Sequence, residues 1–212
     1  MDLYFSPLAC SMATRIAFYE AGVEGKFIGV DTKSKRLADG SDFLAVNPMG
    51  QVPVLRTDAG ELLTENPVVP QYVADQNPQS GLAPQGGIAR YRLQQWLNFI
   101  TSELHKVVFI PLLDPNCPQE AKSYARAKAE RPFAYLNSHL DGRDYLLDRF
   151  TVADAYLVTV LNWTRFVGLE LAKWPALKAY LDRMYQRPNV ARAINEELAL
   201  YEQNQARHRQ RD

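Results

Sequence analysis

Short apolar runs and helical patterns alternate along the N-terminal part of the chain. The run Leu3-Tyr4-Phe5, stopped by Ser6-Pro7, predicts a buried strand. From Ser11, apolar residues recur at helical spacing as far as Gly22, which predicts a helix with a glycine end. The elements predicted next are a strand over 26–30, a basic loop over 32–40, a short helix over 42–46, a hairpin with strands over 52–57 and 61–64, and a helix from Asn66 to Gln76. This order, β-α-β-α-β-β-α, predicts a small mixed sheet with flanking helices.

The rest of the chain carries only helical patterns. A stretch over 78–87 that is rich in glycine, proline and glutamine predicts a linker. The helices predicted after it cover 88–109, 119–140, 152–167, 175–186 and 190 to about 203, followed by a polar tail over 205–212 that we expect to fray. The sequence therefore predicts two domains, an α/β unit over residues 1–78 and an all-helical unit over residues 88–212.

Charge and composition exclude several classes of protein. The 24 basic and 24 acidic residues cancel, so no net field favours nucleic acid or an anionic membrane. The sequence has neither a long apolar run for a membrane span nor the basic and apolar segments of a signal peptide. Two cysteines, Cys10 and Cys117, fit a reducing compartment better than a secreted disulfide scaffold. We expect a soluble, cytoplasmic, globular protein.

The segment Asn47-Pro48-Met49-Gly50-Gln51-Val52-Pro53-Val54-Leu55 places a proline at the entry to a strand. Because proline cannot donate to a ladder, Pro53 must lie at a strand start or edge. The Val52–Pro53 bond is a candidate cis peptide, since cis bonds occur mainly before proline in tight turns. Such a bend would leave the backbone of Val52 free to pair with an extended ligand. An ordinary proline-bearing loop is the alternative.

Two helix starts carry residues that suit chemistry. Cys10 precedes the first helix, where free N–H groups and the helix dipole would lower the thiol pKa. No second cysteine follows it closely, so any redox chemistry would involve one thiol, and an inert buried cysteine is the alternative. Glu65-Asn66-Pro67 opens a later helix, where free N–H groups and a carboxylate suit a zwitterionic amino-acid head. Capping by Asn66 explains that residue equally well without a ligand.

The longest predicted helix carries a polar stripe, because Asn98, Ser102 and His105 follow i, i+4, i+7 spacing. This stripe would line a cleft between the domains or face solvent. By contrast, Thr151-Val152-Ala153-Asp154 is a helix cap with a structural role. The spacing of His, Cys and Asp predicts no metal site, and no glycine-rich phosphate loop is present.

Seven segments, in this order, resemble those of the cytosolic glutathione transferases, most closely the bacterial beta class. They are Ser6-Pro7-Leu8-Ala9-Cys10-Ser11, Asn47-Pro48-Met49-Gly50-Gln51-Val52-Pro53-Val54-Leu55, Leu63-Thr64-Glu65, Trp96-Leu97-Asn98-Phe99, Glu103-Leu104-His105-Lys106, Phe150-Thr151-Val152-Ala153-Asp154-Ala155-Tyr156 and Gln186-Arg187-Pro188-Asn189-Val190. The resemblance covers nearly the whole chain. It implies a thioredoxin-like N-terminal domain, an all-α C-terminal domain, a homodimer, and glutathione as co-substrate with no cofactor.

The resemblance also implies roles in holding glutathione. The backbone of Val52 would pair with the cysteinyl part, and Lys35 would meet the glycyl carboxylate. Glu65 and Asn66 would hold the γ-glutamyl head. Cys10 would face the glutathione sulfur, where a mixed disulfide can form.

Further roles concern the helical domain. Positions that line the site in this class, some of them from across the dimer interface, are matched by Asn98, Ser102, Glu103 and His105. We expect His105 to polarise or hydrogen-bond within the site. The second substrate would be a small apolar electrophile lodged near Phe109, Leu113 and Trp163.

One departure from the family pattern concerns the γ-glutamyl subsite. The family usually has serine where this chain has Asn66, and Pro67 and Pro70 follow it. Loss of one hydrogen bond to a charged group costs about 1.5–3 kcal/mol, or roughly a ten- to hundredfold weaker binding. The leading hypothesis is conjugation of glutathione to small apolar electrophiles. The alternatives are a glutathione-dependent thiol transferase or reductase that uses Cys10, and a non-catalytic dimer that binds a ligand or partner.

Overall fold

The computed structural model describes the backbone of residues 1–209 and the side chains of residues 1–206. Five strands form one sheet in the order β3-β2-β1-β4-β5. The strands are β1 (Asp2–Phe5), β2 (Lys26–Asp31), β3 (Arg36–Leu37), β4 (Val54–Arg56) and β5 (Leu62–Thr64). Strand β1 pairs in parallel with β2 and antiparallel with β4, and β4 pairs antiparallel with β5. The sheet therefore has the mixed topology that the sequence predicts.

The short strand β3 lies inside the segment that was expected to be a basic loop. Leu37 pairs with Val30 and Arg36 pairs with Asp31, so this segment folds back on the sheet edge. The predicted short helix is a 3₁₀ turn over Phe43–Ala45. Two helices belong to this part of the chain, α1 (Met12–Ala21) and α2 (Val69–Gln76). The first ends at Gly22 in the left-handed region, as the sequence predicts.

The rest of the described chain is helical. Its elements are a 3₁₀ turn (Pro78–Ser80), α3 (Gly87–Phe99), a π-helical segment (Ile100–Phe109), α4 (Ile110–Leu113), α5 (Gln119–Leu140), α6 (Val152–Leu161), α7 (Thr164–Val167), α8 (Pro175–Tyr185) and α9 (Pro188–Arg209). No helix within residues 1–209 has the length and apolar character that crossing a membrane requires.

Three helical predictions need correction. The expected helix over 88–109 changes to π-helical hydrogen bonding at Ile100, and the helix expected over 152–167 breaks after Leu161. The last helix extends to Arg209, so residues 205–209 are helical instead of frayed. The final part of that predicted tail, residues 210–212, lies outside the described residues.

Helix α6 is the centre of the core, since every one of its residues is buried. Its start carries the predicted cap, in which the carboxylate of Asp154 accepts the N–H of Thr151 at 2.9 Å. The same carboxylate accepts the N–H of Leu146 at 2.9 Å and the hydroxyl of Tyr180 at 3.1 Å. Burial raises the pKa of Asp154 to about 6. One apolar cluster includes residues of both parts, such as Leu3 and Leu157, so the sheet and the helices share a core.

Candidate active site

A cleft of about 280 Å³ opens where the start of β4, the start of α2 and the π-helical segment meet. The side chains and backbone groups that form its wall include Cys10, Lys35, Gly50, Val52, Pro53, Glu65, Asn66, Thr101, His105, Lys106, Ile110 and Tyr156. Most of the residues that the resemblance assigns to glutathione thus lie around one cavity.

The turn before β4 forms one wall of the cleft. The Val52–Pro53 peptide is cis, as the sequence predicts. The carbonyl of Val52 is not free, however, because the thiol of Cys10 donates to it with an Sγ–O distance of 3.1 Å. Across the cleft mouth, Lys35 Nζ donates to the carbonyl of Gly50 at 2.9 Å. Cys10, the candidate nucleophile, is therefore hydrogen-bonded to Val52, the residue whose backbone is expected to pair with glutathione.

The predicted low pKa of Cys10 is wrong. Burial raises the pKa of this thiol to about 12, and the charge of Lys106 and two backbone N–H groups offset only part of that increase. The prediction gave weight to the helix start and not to desolvation, which disfavours the thiolate. Cys10 therefore keeps its proton at neutral pH and acts as a hydrogen-bond donor.

Asn66 does not cap a helix, which corrects the sequence prediction. Pro67 and Pro70 lack N–H groups, and α2 begins only at Val69. The free N–H groups of Val68 and Val69 donate instead to the carbonyl of Glu65. Asn66 Nδ2 donates to the carbonyl of Cys10 at 2.9 Å, and this bond ties the two sides of the turn region together. Its Oδ1 is buried and has no hydrogen-bond partner among the described residues.

Glu65 presents its carboxylate to the cleft from a strained backbone. Its φ is 73°, in the left-handed region that residues other than glycine rarely adopt. Such a conformation costs about 1–3 kcal/mol and is concentrated at functional sites. The side chain is exposed and lines the same cleft as Asn66.

The opposite wall carries a buried pair of polar rings. His105 Nδ1 and the hydroxyl of Tyr156 are 2.6 Å apart. Burial and the neighbouring charge of Lys106 lower the pKa of His105 to about 4, and burial raises the pKa of Tyr156. Thr101 Oγ1 lies 3.4 Å from the same hydroxyl. At neutral pH His105 and Tyr156 therefore present uncharged hydrogen-bonding groups, beside the charge of Lys106.

The π-helical segment explains which polar residues face the cleft. Its hydrogen bonds run from i to i+5, so the i, i+4, i+7 face predicted for an α-helix does not hold. Thr101, His105 and Lys106 line the cleft. The three other predicted residues of this region, Asn98, Ser102 and Glu103, are exposed outside it, and Ser102 Oγ donates to Glu103 Oε1.

The residues predicted for the electrophile lie elsewhere. Phe109 and Trp163 are buried in the core with their ring centroids 5.6 Å apart, because packing of the helices encloses both rings. Leu113 is exposed and is not part of the cleft wall, and Ile110 lies in that wall instead. Among the described residues, no group of three or more His, Cys, Asp or Glu side chains is placed to hold a metal ion.

Comparison with known proteins agrees with this arrangement. The family model for the glutathione S-transferase N-terminal domain matches residues 2–75, and the model for the C-terminal domain matches residues 99–188. The chain belongs to the glutathione S-transferase family. Glutathione S-transferase GstA of Escherichia coli O157:H7 is 44% identical over 93% of this chain and 98% of its own length.

Solved structures extend the family assignment. A sphingomonad glutathione S-transferase complexed with glutathione superposes with a TM-score of 0.89 at 46% identity, covering 93% of this chain and 98% of that one. A beta-class transferase from Sphingomonas chungbukensis gives a TM-score of 0.89 at 42% identity, with the same two coverages. The similarity confirms the predicted fold and class.

In this transferase, three polar side chains on the helical side of the cleft were not predicted as site residues. They are Thr101, Lys106 and Tyr156. The π-helical hydrogen bonding places Thr101 and Lys106 at the cleft, and no local sequence pattern predicts that hydrogen bonding. For Tyr156 the available signal was general, since a buried tyrosine hydroxyl requires a partner.

Proposed function

We propose that this protein conjugates reduced glutathione to small apolar electrophiles. The observation that carries the proposal is the grouping of Lys35, Val52, Glu65 and Asn66 around the thiol of Cys10 in one cleft. A relative at 44% identity is named a glutathione S-transferase, and a structural neighbour at 46% identity is complexed with glutathione. Both span nearly their whole length with this chain, which supports transfer of the activity.

Glutathione would lie across the cleft with its three parts on three different groups. The ammonium of Lys35 suits the glycyl carboxylate, and the backbone of Val52 suits the cysteinyl unit. Because Asn66 Nδ2 is hydrogen-bonded to the carbonyl of Cys10, its buried and unpaired Oδ1 is the atom that a ligand ammonium would satisfy. That oxygen and the carboxylate of Glu65 are both acceptors, so together they suit the ammonium of the γ-glutamyl head.

The chemistry follows from the protonation states in the cleft. With its pKa raised to about 12, Cys10 keeps its proton. When glutathione takes the Val52 backbone, the Cys10 S–H is placed to donate to the glutathione sulfur and to favour its thiolate. The glutathione thiol releases its proton to solvent, and the thiolate attacks the electrophilic carbon. The new carbon–sulfur bond forms as the leaving group departs with the bonding electron pair. His105 is neutral and acts through its hydrogen bond with Tyr156.

The electrophile would occupy the part of the cleft near Ile110 and Tyr156. This placement replaces the pocket expected around Phe109, Leu113 and Trp163. Holding both reactants within one small cavity lowers the entropic cost of the reaction.

The transferase would work as a cytoplasmic homodimer. Large apolar side chains are exposed on one copy, with relative exposures of 74% for Met49, 69% for Ile88 and 68% for Tyr91. A second copy would cover such residues. In that dimer, Asn98, Ser102 and Glu103 would be available to the partner's site. The cytoplasmic location rests on the low cysteine content.

A conjugation assay tests the function. Purified protein is mixed with reduced glutathione and an aromatic halide such as 1-chloro-2,4-dinitrobenzene, and the thioether product is followed by absorbance. We expect saturation with both substrates. Binding of glutathione without any thioether, across a panel of aromatic halides, epoxides and enones, would contradict conjugation.

The thiol-transferase alternative is tested with the Cys10→Ser variant. The raised pKa of Cys10 disfavours it as a nucleophile, so we expect conjugation to fall less than tenfold, since a hydroxyl also donates. Rapid reduction of a glutathione mixed disulfide by the wild type, lost in Cys10→Ser while conjugation survives, would favour the alternative.

A further inference from the structure

The backbone of Leu8 is held on both sides by side chains of the helical part. Its N–H donates to Glu197 Oε2 at 2.7 Å, and its carbonyl accepts the indole N–H of Trp163 at 2.8 Å. Leu8 itself has a φ of 60°, in the left-handed region. A leucine in this conformation is strained, so the turn depends on bonds from outside it.

Glu197 is a fully buried carboxylate of α9 that makes one ion pair and one hydrogen bond. Its Oε1 pairs with Arg15 Nε of α1 at 3.0 Å, while Oε2 is the atom bonded to Leu8. The guanidinium of Arg15 lies over the rings of Phe5 and Phe27, with its carbon 4.3 and 4.2 Å from their centroids. A buried carboxylate is retained only when it is paired and hydrogen-bonded.

Other charges near this pair belong to a surface network. Arg15 NH1 lies 3.2 Å from Glu196 Oε2, and Glu196 also accepts the hydroxyl of Tyr19 and the guanidinium of Arg192. An ion pair between α1 and α9 would therefore exist through Glu196 even without Glu197. The second oxygen of Glu197 is directed at the turn, which a purely structural ion pair does not require.

The turn at Leu8 leads directly to the cleft. Cys10 follows two residues later, and its thiol reaches the carbonyl of Val52 at 3.1 Å. Trp163, the second group that holds Leu8, also packs on His105 with a ring centroid distance of 5.0 Å. Glu197 of α9 and Trp163 at the end of α6 are thus connected through Leu8 to Cys10 on one side of the cleft, and Trp163 also contacts His105 on the other.

We propose that Glu197 and Trp163 are positioning residues that hold the Cys10 thiol at the cleft by fixing the turn at Leu8. This role deepens the proposed function, because it matters for catalysis only if Cys10 faces glutathione. Neither residue touches the cleft itself, and both act through the backbone of Leu8.

The chain offers a matched control. Glu20 of α1 makes a bidentate ion pair with Arg187, next to α9, at 2.7 and 2.8 Å. This pair also joins the α/β part to the helical part, but it makes no bond to Leu8. Glu20→Ala should therefore lower stability while leaving the Cys10 turn intact.

The test measures alkylation of Cys10 by iodoacetamide in the protein without glutathione. The modified Cys10 peptide is quantified by mass spectrometry, separately from the Cys117 peptide, between about pH 7 and about pH 10. We expect Glu197→Ala to raise the alkylation rate at least about fivefold, because the thiol leaves Val52 and becomes hydrated, with a lower pKa. Glu20→Ala should keep the wild-type rate and pH profile.

Two conservative variants separate positioning from general destabilisation. Glu197→Gln retains an oxygen for the Leu8 N–H, so its rate should stay within about twofold of wild type. Trp163→Phe keeps a ring but loses the N–H donor, so its rate should rise as in Glu197→Ala. If Glu197→Ala does not fold, Trp163→Phe alone decides the question.

An unchanged profile in the folded Glu197→Ala or Trp163→Phe variant would overturn the proposal, as would an equal change in Glu20→Ala. Because the assay needs no glutathione, its outcome is independent of the proposed function. A wild type that fails to conjugate glutathione would contradict that function and leave the positioning result readable.

Discussion

The two walls of the cleft present different chemical groups. The α/β wall offers backbone groups and charged side chains, held by turns: the cis Val52–Pro53 peptide and left-handed residues at Lys35 and Glu65. The helical wall offers the neutral pair of His105 and Tyr156, buried among core rings. The first wall suits recognition of a charged peptide, and the second suits a dry, weakly polar environment for the reaction. Most of the groups assigned to recognition therefore lie on the α/β wall, which also carries Cys10, while the buried pair lies on the helical wall.

The largest expected effect concerns the helical wall and its pH dependence. Burial lowers the pKa of His105 from 6.5 to about 4, so the folded state prefers the neutral ring. The resulting stability is present above about pH 6.5 and is lost as the pH falls towards about 4. A pKa difference of about 2.5 corresponds to about 3 kcal/mol.

Denaturant unfolding at several pH values checks this prediction. His105→Gln should remove about 3 kcal/mol of the pH dependence that the wild type shows between about pH 7 and about pH 4. His139→Gln is the control, since His139 Nε2 bonds the carbonyl of Leu146 away from the cleft. If His105→Gln leaves the pH dependence unchanged, the helical wall is not the dry environment described above.

The next effect concerns the unpaired Oδ1 of Asn66 on the α/β wall. Asn66→Ala removes the acceptor assigned to the γ-glutamyl ammonium, and loss of such a charge-assisted bond costs about 1.5–3 kcal/mol. We expect glutathione to bind roughly ten- to hundredfold more weakly by calorimetry. Asn66→Asp keeps an acceptor for the ammonium but loses the Nδ2 donor to the carbonyl of Cys10, so its affinity should fall less than that of Asn66→Ala. Tighter binding by Asn66→Ala would mean that the amide obstructs the head group.

A smaller effect is expected at Lys35, which also lines the cleft. Lys35→Ala removes the cation assigned to the glycyl carboxylate and should weaken glutathione binding about tenfold at low salt. Lys33 is exposed in the same segment and does not line the cleft, so Lys33→Ala measures the effect of charge alone. Equal losses in both variants would remove Lys35 from the site.

The smallest effect returns to the helical wall. Thr101→Val keeps the side-chain shape but removes a hydroxyl that lies 3.4 Å from the Tyr156 hydroxyl and donates to Leu97 at 2.9 Å. We expect a loss of about 0.5–1 kcal/mol in the free energy of unfolding, with unchanged glutathione affinity. A large loss of affinity would show that this wall also takes part in recognition.

The same division explains what the sequence could predict. Turns have local causes, so the cis bond before Pro53 and the end of α1 at Gly22 were predicted correctly. The start of α2 was wrong because Asn66 suggested a cap, although Pro67 and Pro70 remove the N–H groups that a cap would bind.

Features set by packing could not be predicted locally. The pKa of Cys10 depends on burial by residues far away in sequence. The burial of Trp163 depends on how the end of α6 packs on the turn at Leu8. Because of the π-helical segment, Thr101 lines the cleft and Ser102 does not, and no local sequence pattern predicts that segment. These are tertiary effects that override local propensity.

The most direct test of the account is calorimetric titration of reduced glutathione into the wild-type protein, with oxidised glutathione excluded. We expect saturable binding with a dissociation constant from about micromolar to low millimolar, competed by S-methylglutathione and weakened in Asn66→Ala. No detectable heat at any temperature, together with no protection of Cys10 from alkylation, would contradict it, because the cleft would then not be a glutathione site.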